Sequence, residues 1–326
     1  MIEPEQAMQS IGSTALWCGF GAVVLAALIV DFMVLRGGGE KKVTFRDSVL
    51  WSAAWVALAL IFNAALWWYL DGRDGREVAN QVGLQFLTGY VIEKSLSIDN
   101  IFVFLLLFKS FAVPEEQQRK VLMIGVLGAL LLRAIMIFIG AALIARFHWV
   151  LYLFGAFLVF TGVRMAMGAA DAHDIEQHPL LRWMRRHLRV TPGYRGGALS
   201  VHIDGQRWFT PLFLVVVLIG FIDIVFAVDS IPAIFAITED PFIVLTSNVF
   251  AVLGLRALFF MLAGMADRFH LLNYGLAAVL VFIGLKMLIV EFWKIPISLS
   301  LLVVAALIGG SMLASAMFPA KRSPDH

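Results

Sequence analysis

The stretch Val91-Ile92-Glu93-Lys94-Ser95-Leu96-Ser97-Ile98-Asp99-Asn100-Ile101 lies inside a long apolar run. A second stretch, Phe221-Ile222-Asp223-Ile224-Val225-Phe226-Ala227-Val228-Asp229-Ser230-Ile231, can be laid upon it. An acid stands at the third and ninth positions of each, and Asp-Asn-Ile meets Asp-Ser-Ile. Two further landmarks keep their order downstream. Arg133-Ala134-Ile135 answers Arg256-Ala257-Leu258, and Phe160-Thr161-Gly162-Val163-Arg164-Met165 answers Phe282-Ile283-Gly284-Leu285-Lys286-Met287. Acids and arginines are rare in apolar runs, so shared composition does not explain the match. The segments 83–168 and 210–291 therefore read as two copies of one three-helix unit.

The rest of the chain sets those copies in a membrane. Of the 326 residues, 61% are hydrophobic and 15% charged, against about 25% charged in an ordinary soluble domain. A spanning helix needs roughly 20 mostly apolar residues. Such runs fall at about 15–35, 48–70, 83–111, 120–144, 147–168, 210–237, 242–267, 271–291 and 296–318. Pro114, Pro241 and Pro296 lie in or at the edges of the connections, where helices stop. The expected fold is all-α: a single polytopic membrane domain over 1–326, with about nine spans. A unit of three helices is odd in number, so the second copy must be inverted in the bilayer. Inverted repeats are common in secondary transporters, with the substrate site near the midplane at their interface.

Lysine and arginine counts orient the chain, because cytoplasmic loops carry the excess. Seventeen lie in the connections on one side, including Arg36, Lys41, Lys42 and Arg46 and seven arginines between Arg164 and Arg207. The other side has four: Arg73, Arg76, Arg146 and Lys294. The N-terminus is expected outside and the C-terminus in the cytoplasm of a bacterial inner membrane. No cleavable leader is expected, since Glu3 and Glu5 stand where a basic region would be. The segment 169–209 is then a basic cytoplasmic loop. Within it, Leu180, Leu181, Trp183, Met184 and Leu188 alternate with Arg182, Arg185, Arg186 and Arg189, a pattern suited to a short helix on the inner lipid surface. Asp204-Gly205 signals a hairpin turn.

Glu93, Asp99, Asp223 and Asp229 fall within spans, where an acid costs about 2.5–3.5 kcal/mol on insertion scales. They should face a bundle interior or a hydrated cavity. Six residues along a straight helix turn a side chain about 120° away, so neither pair would meet on one ion without distortion. Pro232 supplies one, because it removes a donor and clashes with the carbonyl of Val228; a break just after Asp229 is expected. The seven histidines lie outside the span interiors, and the lone cysteine, Cys18, is far in sequence from the acids. A zinc or copper site would draw on imidazole or thiolate. Carboxylate, amide, hydroxyl and carbonyl oxygens suit Mg²⁺, Ca²⁺ or Mn²⁺ instead. Asn100, Ser230 and Asn248 are candidate neutral ligands. Lys94, Arg133 and Arg256 are candidate charge-balancing groups, and pairing of the acids with the two arginines would alternatively serve helix packing alone. Asp31 reads as an end charge near Arg36.

The segments Glu93-Lys94-Ser95-Leu96-Ser97-Ile98-Asp99-Asn100 and Phe226-Ala227-Val228-Asp229-Ser230-Ile231-Pro232-Ala233 resemble the two signature segments of the TerC family, most closely its Alx branch. The stretch Asp240-Pro241-Phe242 to Arg256, with Thr246-Ser247-Asn248, resembles the helix that follows in that family. The resemblance implies a bacterial membrane protein exporting Mn²⁺, with a metal site carried over to Glu93, Asp99, Asn100, Asp223, Asp229 and Ser230. One departure stands out: the family commonly has a Glu three residues before the first Asp of the second segment, and here that position is Gly220.

The expected partners are thus a divalent cation as substrate and the lipid bilayer, with proton coupling conceivable because clustered carboxylates raise one another's pKa. No organic cofactor is expected. The net charge of +2 gives no reason to expect a nucleic-acid partner. No zinc-protease, serine-nucleophile or phosphate-loop motif suggests an enzyme. The alternative is a non-transporting membrane partner or sensor in a stress response, acting through loop 169–209.

Overall fold

A computed structural model describes residues 10–37, 45–147, 149–167, 179–263, 271–290, 292–293 and 295–317. Eleven helices and one hairpin follow in order: α1 (Thr14–Gly37), α2 (Phe45–Arg73), α3 (Arg76–Ser110), α4 (Glu115–Arg146), α5 (Val150–Ala166), α6 (Pro179–His187), β1 (Ser200–Ile203), β2 (Gln206–Phe209), α7 (Pro211–Phe235), α8 (Pro241–Val252), α9 (Leu255–Ala263), α10 (Leu272–Leu288) and α11 (Ile297–Met317). Each apolar run of the sequence corresponds to a helix, and the seventh to two. By length and composition, six described stretches are apolar enough to cross a bilayer: Thr14–Met33, Phe45–Arg73, Glu115–Arg146, Pro211–Phe235, Pro241–Ala263 and Ile297–Met317. Val150–Ala166 and Tyr274–Leu288 are shorter apolar helices. The 35-residue α3 is longer than any of these, but Glu77, Glu93, Lys94, Asp99 and Lys109 make it too polar for that set.

The distribution of side chains is that of a membrane bundle. Leu60, Ile61, Trp68, Leu131, Ile139 and Phe160 are exposed on the outside. Inside are Thr88, Glu93, Ser97, Asn100, Arg133, Asp223, Ser230, Thr246, Ser247 and Asn248. In lipid the outer surface needs no polar groups, so polar residues gather where partners from other helices can satisfy them.

Helix ends follow local chemistry. Pro211 and Pro241 open α7 and α8 at positions whose N–H would have no partner in any case. The Asp240 carboxylate caps α8 by accepting from Phe242 N at 2.8 Å; it also takes Ser10 Oγ at 2.8 Å and Ile11 N at 2.7 Å, tying the start of the chain to α8. Aromatic rings fix α1, α2, α3 and α8 together, with Phe20, Phe62, Phe86 and Phe250 in mutual contact and the Phe62 and Phe250 centroids 4.6 Å apart.

Two expectations about helix breaks are corrected. The helix α7 does not break after Asp229: it runs through Pro232 to Phe235. Pro232 stands in the last turn, and the backbone resumes at once with Ala236 N donating to Pro232 O at 3.0 Å. A proline there disturbs little helix beyond itself. The break lies instead in the seventh run, between α8 and α9. Leu253 is extended (φ −57°, ψ 130°) and Gly254 adopts φ +82°, a conformation that glycine takes without penalty. A Cβ on Gly254 would also stand 2.6 Å from the Trp55 ring, so both backbone and packing require glycine there.

The tightest helix crossing is between α5 and α10, which run antiparallel. A Cβ on Gly162 would stand 2.8 Å from Val281 Cγ2 and 2.8 Å from Ala277 O. A Cβ on Gly284 would stand 2.8 Å from Val159 Cγ2 and 2.6 Å from Gly155 O. Backbone therefore lies directly on backbone, as small residues allow in membrane helices.

Of segment 169–209, residues 179–209 are described. Leu181 and Met184 of α6 are buried against the end of α7 and α4, while Trp183 is exposed and stacks on His187. The helix thus packs on the bundle with one face and leaves Trp183 outward. Strands β1 and β2 pair antiparallel around Asp204-Gly205, with Ile203 opposite Gln206 and positive φ at both turn residues (51° and 73°). This is the two-residue hairpin expected of Asp-Gly.

Candidate functional site

The centre of the bundle is built on Arg133, whose side chain is 1% exposed. Its helix α4 packs along α7 and α8, and α3 lies against both of the latter. From α7, Asp223 receives the guanidinium in a fork: Nη2 to Oδ1 at 3.1 Å and Nε to Oδ2 at 3.4 Å. From α3, Glu93 Oε1 accepts a short hydrogen bond from Nη1. From α8, Asn248 Oδ1 lies 3.4 Å from the same Nη1. Ser97, one turn beyond Glu93, donates to its Oε1 at 3.4 Å. Four helices therefore converge on one cation, which is the arrangement that lets buried charge persist. Two carboxylates face one arginine, with Lys94 beside Glu93 as a second cation within reach of its charge. Glu93 Oε2 and Asn248 Nδ2 have no hydrogen-bond partner, although nearly all buried polar groups in native proteins do. Asp223 also lines a small cavity with Phe104, Gly125, Val126, Ile219 and Leu255, between α3, α4, α7 and the start of α9.

The other sequence-derived candidates are distributed around this cluster. Asn100 is buried in α3, two turns beyond Glu93. Ser230 is buried in α7 and its hydroxyl has no partner. Asp229 is half-buried on a different face of α7 from Asp223, as six residues of straight helix require; Thr161 Oγ1 of α5 donates to it at 3.4 Å. The side chain of Asp99 lies outside the described residues, so its convergence with Asp229 is not described. Among the described residues, no three His, Cys, Asp or Glu side chains are grouped as a metal-binding cluster.

One charge-balancing assignment is corrected. Among the described residues, Arg256 contacts none of the acids Glu93, Asp223 and Asp229. Its Nη2 donates to Asp31 of α1, 2.5 Å to Oδ1 and 3.3 Å to the backbone O, and Nη1 is buried without a partner. Asp31 is accordingly the partner of Arg256 rather than an end charge beside Arg36, whose side chain lies outside the described residues. Lys94, beside Glu93 and within reach of its charge, donates its ammonium to Ala251 O at 3.1 Å. That carbonyl is in the last turn of α8, where the break at Gly254 removes its helical partner. No sequence signal marked these two contacts, because both join segments far apart in the chain.

An apolar-surfaced helical bundle with a buried carboxylate–arginine centre defines an integral membrane protein. The model of the integral membrane protein TerC family matches residues 78–323, and the chain belongs to that family. It is 54% identical over 297 residues to a protein of Escherichia coli K12 that carries the provisional name membrane-bound redox modulator Alx, covering 91% of this chain and 92% of the relative. A Photorhabdus laumondii protein of the same name is 48% identical over 306 residues, with 94% and 96% covered. An uncharacterized membrane protein of Rickettsia felis is 39% identical over 310 residues, with 95% and 99% covered. No solved structure matches the chain.

Proposed function

We propose that the protein is a secondary carrier that exports a divalent cation, Mn²⁺ first among candidates, across the bacterial inner membrane. The observation that carries this reading is the meeting of Glu93 and Asp223 on one buried guanidinium. These acids occupy matching positions in the segments 83–168 and 210–291, so each half contributes one carboxylate to a shared centre. The free Glu93 Oε2 is an oxygen acceptor still without a partner. Oxygen donors of this kind suit a hard cation. The proposed ligand set is Glu93, Asp99, Asn100, Asp223, Asp229, Ser230 and Asn248, drawn on as the ion passes rather than all at once.

The inverted-repeat reading has independent support in the α5–α10 crossing. Under the sequence match, Gly162 corresponds to Gly284, Val159 to Val281 and Gly155 to Ala277. Gly162 meets Val281 and Ala277, and Gly284 meets Val159 and Gly155, at nearly equal distances. A contact that maps onto itself when the two halves are exchanged is what a pseudo-two-fold axis in the membrane plane produces. On this reading the chain has nine spans, with α8 and α9 forming one broken span. The basic segment 169–209 faces the cytoplasm.

The relatives' name concerns redox. One cysteine, Cys18, is present in these 326 residues and lies exposed on α1, so an intrachain dithiol switch is not available here. A carrier would influence redox state through the metal it moves.

The test is flux of Mn²⁺ into sealed vesicles of purified protein, with Mg²⁺ and Ca²⁺ in competition. Parent protein is expected to move Mn²⁺, and Asp99→Asn and Asp229→Asn to insert normally but lose flux. Undiminished flux in both variants would refute the site, and absence of flux in the parent would refute the carrier. Deleting part of 169–209 separates the sensor alternative: a carrier retains flux.

A further inference from the structure

We propose that Arg133 and Arg256 take turns at the Glu93–Asp223 pair, and that Asp31 is the resting partner that holds Arg256 while Arg133 is engaged. This rests on the carrier reading above and assigns Arg256 and Asp31 a place in it.

The two acids of the centre are mates under the repeat, and so are the two arginines. The pair Glu93 and Asp223 looks the same from either half. The arginine between them does not: Arg133 is in, and Arg256 is out. An arrangement whose acids are exchanged by the repeat while only one of two equivalent cations is bound has a counterpart in which the other cation is bound. Inverted repeats generate two such states by exchanging the conformations of their halves.

Three features equip Arg256 for that move. It is the second residue of α9, directly after the break at Leu253–Gly254, so a small rotation there redirects its side chain. The small cavity lined by Asp223 reaches Leu255, the immediate chain neighbour of Arg256. Its hold on Asp31 uses Nη2 and leaves Nη1 buried with no partner. Asp31 belongs to α1, outside both repeats, and so is the element that breaks their equivalence. Lys94 adds a link, because the residue beside Glu93 holds the last turn of α8 at the same break.

The exchange also addresses charge. Stripping the arginine from two buried carboxylates leaves uncompensated charge, which is strongly unfavourable. If one arginine leaves as a divalent ion enters, and the other arrives as the ion departs, the acids are never bare. Two positive charges neutralise the pair, whereas a monovalent ion leaves one negative charge over.

The test uses a single-cysteine probe, Val126→Cys at the cavity in a Cys18→Ser background, in vesicles without metal, reacted with a membrane-impermeant maleimide. If Asp31 and Arg256 form only a structural tie, Asp31→Asn and Arg256→Gln break the same bond and give the same labelling. Under exchange they differ. Asp31→Asn frees Arg256 to compete for the acids and changes the labelling rate severalfold. Arg256→Gln holds the present state, and its rate equals or lies on the opposite side of the parent's. Equal rates in the two variants, changed or not, would overturn the proposal. Should Asp31→Asn fail to insert, Asp31→Ser, which breaks the same bond, is scored against Arg256→Gln by the same rule. Labelling needs no flux, so the two readings fail separately. Divergent labelling without Mn²⁺ flux removes the carrier, and flux with identical labelling removes the exchange.

Discussion

Lys94 Nζ donates to Ala251 O at 3.1 Å, joining the middle of α3 to the end of α8 across 157 positions of sequence. A cationic side chain on a helix C-terminus satisfies an orphan carbonyl and opposes the negative end of the helix dipole. Hydrogen bonds to charged groups contribute about 1.5–3 kcal/mol. Lys94→Met should therefore lower thermal stability in detergent by a shift of that order. It should also speed amide exchange at Val252–Arg256 before it affects other segments. Unchanged protection there would show that the break is held by Trp55 alone.

Arg133 is the residue on which the polar centre depends most. Arg133→Gln leaves Glu93 and Asp223 buried with no cation, and removal of one partner from a buried ion pair costs about 3–5 kcal/mol. Arg133→Lys should recover only part of this, because an ammonium cannot span Asp223 as a fork and reach Glu93 as well. Thermal unfolding of the three proteins in one detergent checks the order. A Gln variant as stable as the parent would contradict the burial of both carboxylates as ions.

Gly254→Ala combines two penalties. The positive φ of 82° strains any side chain, by about 1–3 kcal/mol, and the new Cβ meets Trp55 at 2.6 Å. Adding Trp55→Ala should relieve the second penalty and not the first, apart from its own lost packing. A double-mutant cycle on unfolding free energy reads the difference as a favourable coupling; zero coupling would mean that the ring does not limit this position.

Gly162→Ala and Gly284→Ala place a methyl against matching atoms, Val281 Cγ2 and Val159 Cγ2, each at 2.8 Å. Overpacking of this kind costs about 1–3 kcal/mol. The two variants should lose similar stability, and their combination should lose less than the sum, because both act on one crossing. A neutral effect at one and a severe effect at the other would argue against an α5–α10 contact that repeats itself.

Gly220 stands one turn before Asp223, and a Cβ there meets nothing within 4 Å. Gly220→Glu should thus be accommodated, with helix propensity improved. If the acids of α7 serve a cation, the added carboxylate should strengthen the Mn²⁺-dependent rise in melting temperature. A smaller rise than in the parent would speak against α7 as a ligand-bearing helix.

Much of this architecture was legible in the chain because its causes are local. Runs of apolar residues gave the helices, prolines marked the connections between them, and Asp204-Gly205 gave the hairpin turn. The likeness of 91–101 to 221–231 pointed to Glu93 and Asp223 among four acids, and these two share Arg133. Errors arose where a tertiary partner decides. Pro232 looks like a breaker, but its position three residues from the end of α7 leaves little helix to break. Gly254 looks like an ordinary glycine in an apolar run, and only Trp55 of α2 reveals why the chain must turn there. Arg256 resembled a counter-ion for the acids by its match to Arg133, yet Asp31, 225 positions away, holds it elsewhere.

The length of α3 has a mechanical consequence. Its 35 residues make a rod of about 52 Å, longer than the roughly 30 Å hydrocarbon core of a bilayer. At its C-terminal tip Tyr194 Oη donates to Phe111 O at 2.6 Å. A tilt of about 10° around the rod's midpoint sweeps that tip by roughly 4–5 Å. The helix that carries Glu93 in its middle therefore has a long arm, and small rearrangements around the carboxylate are amplified at the platform formed by the hairpin and its neighbouring loop.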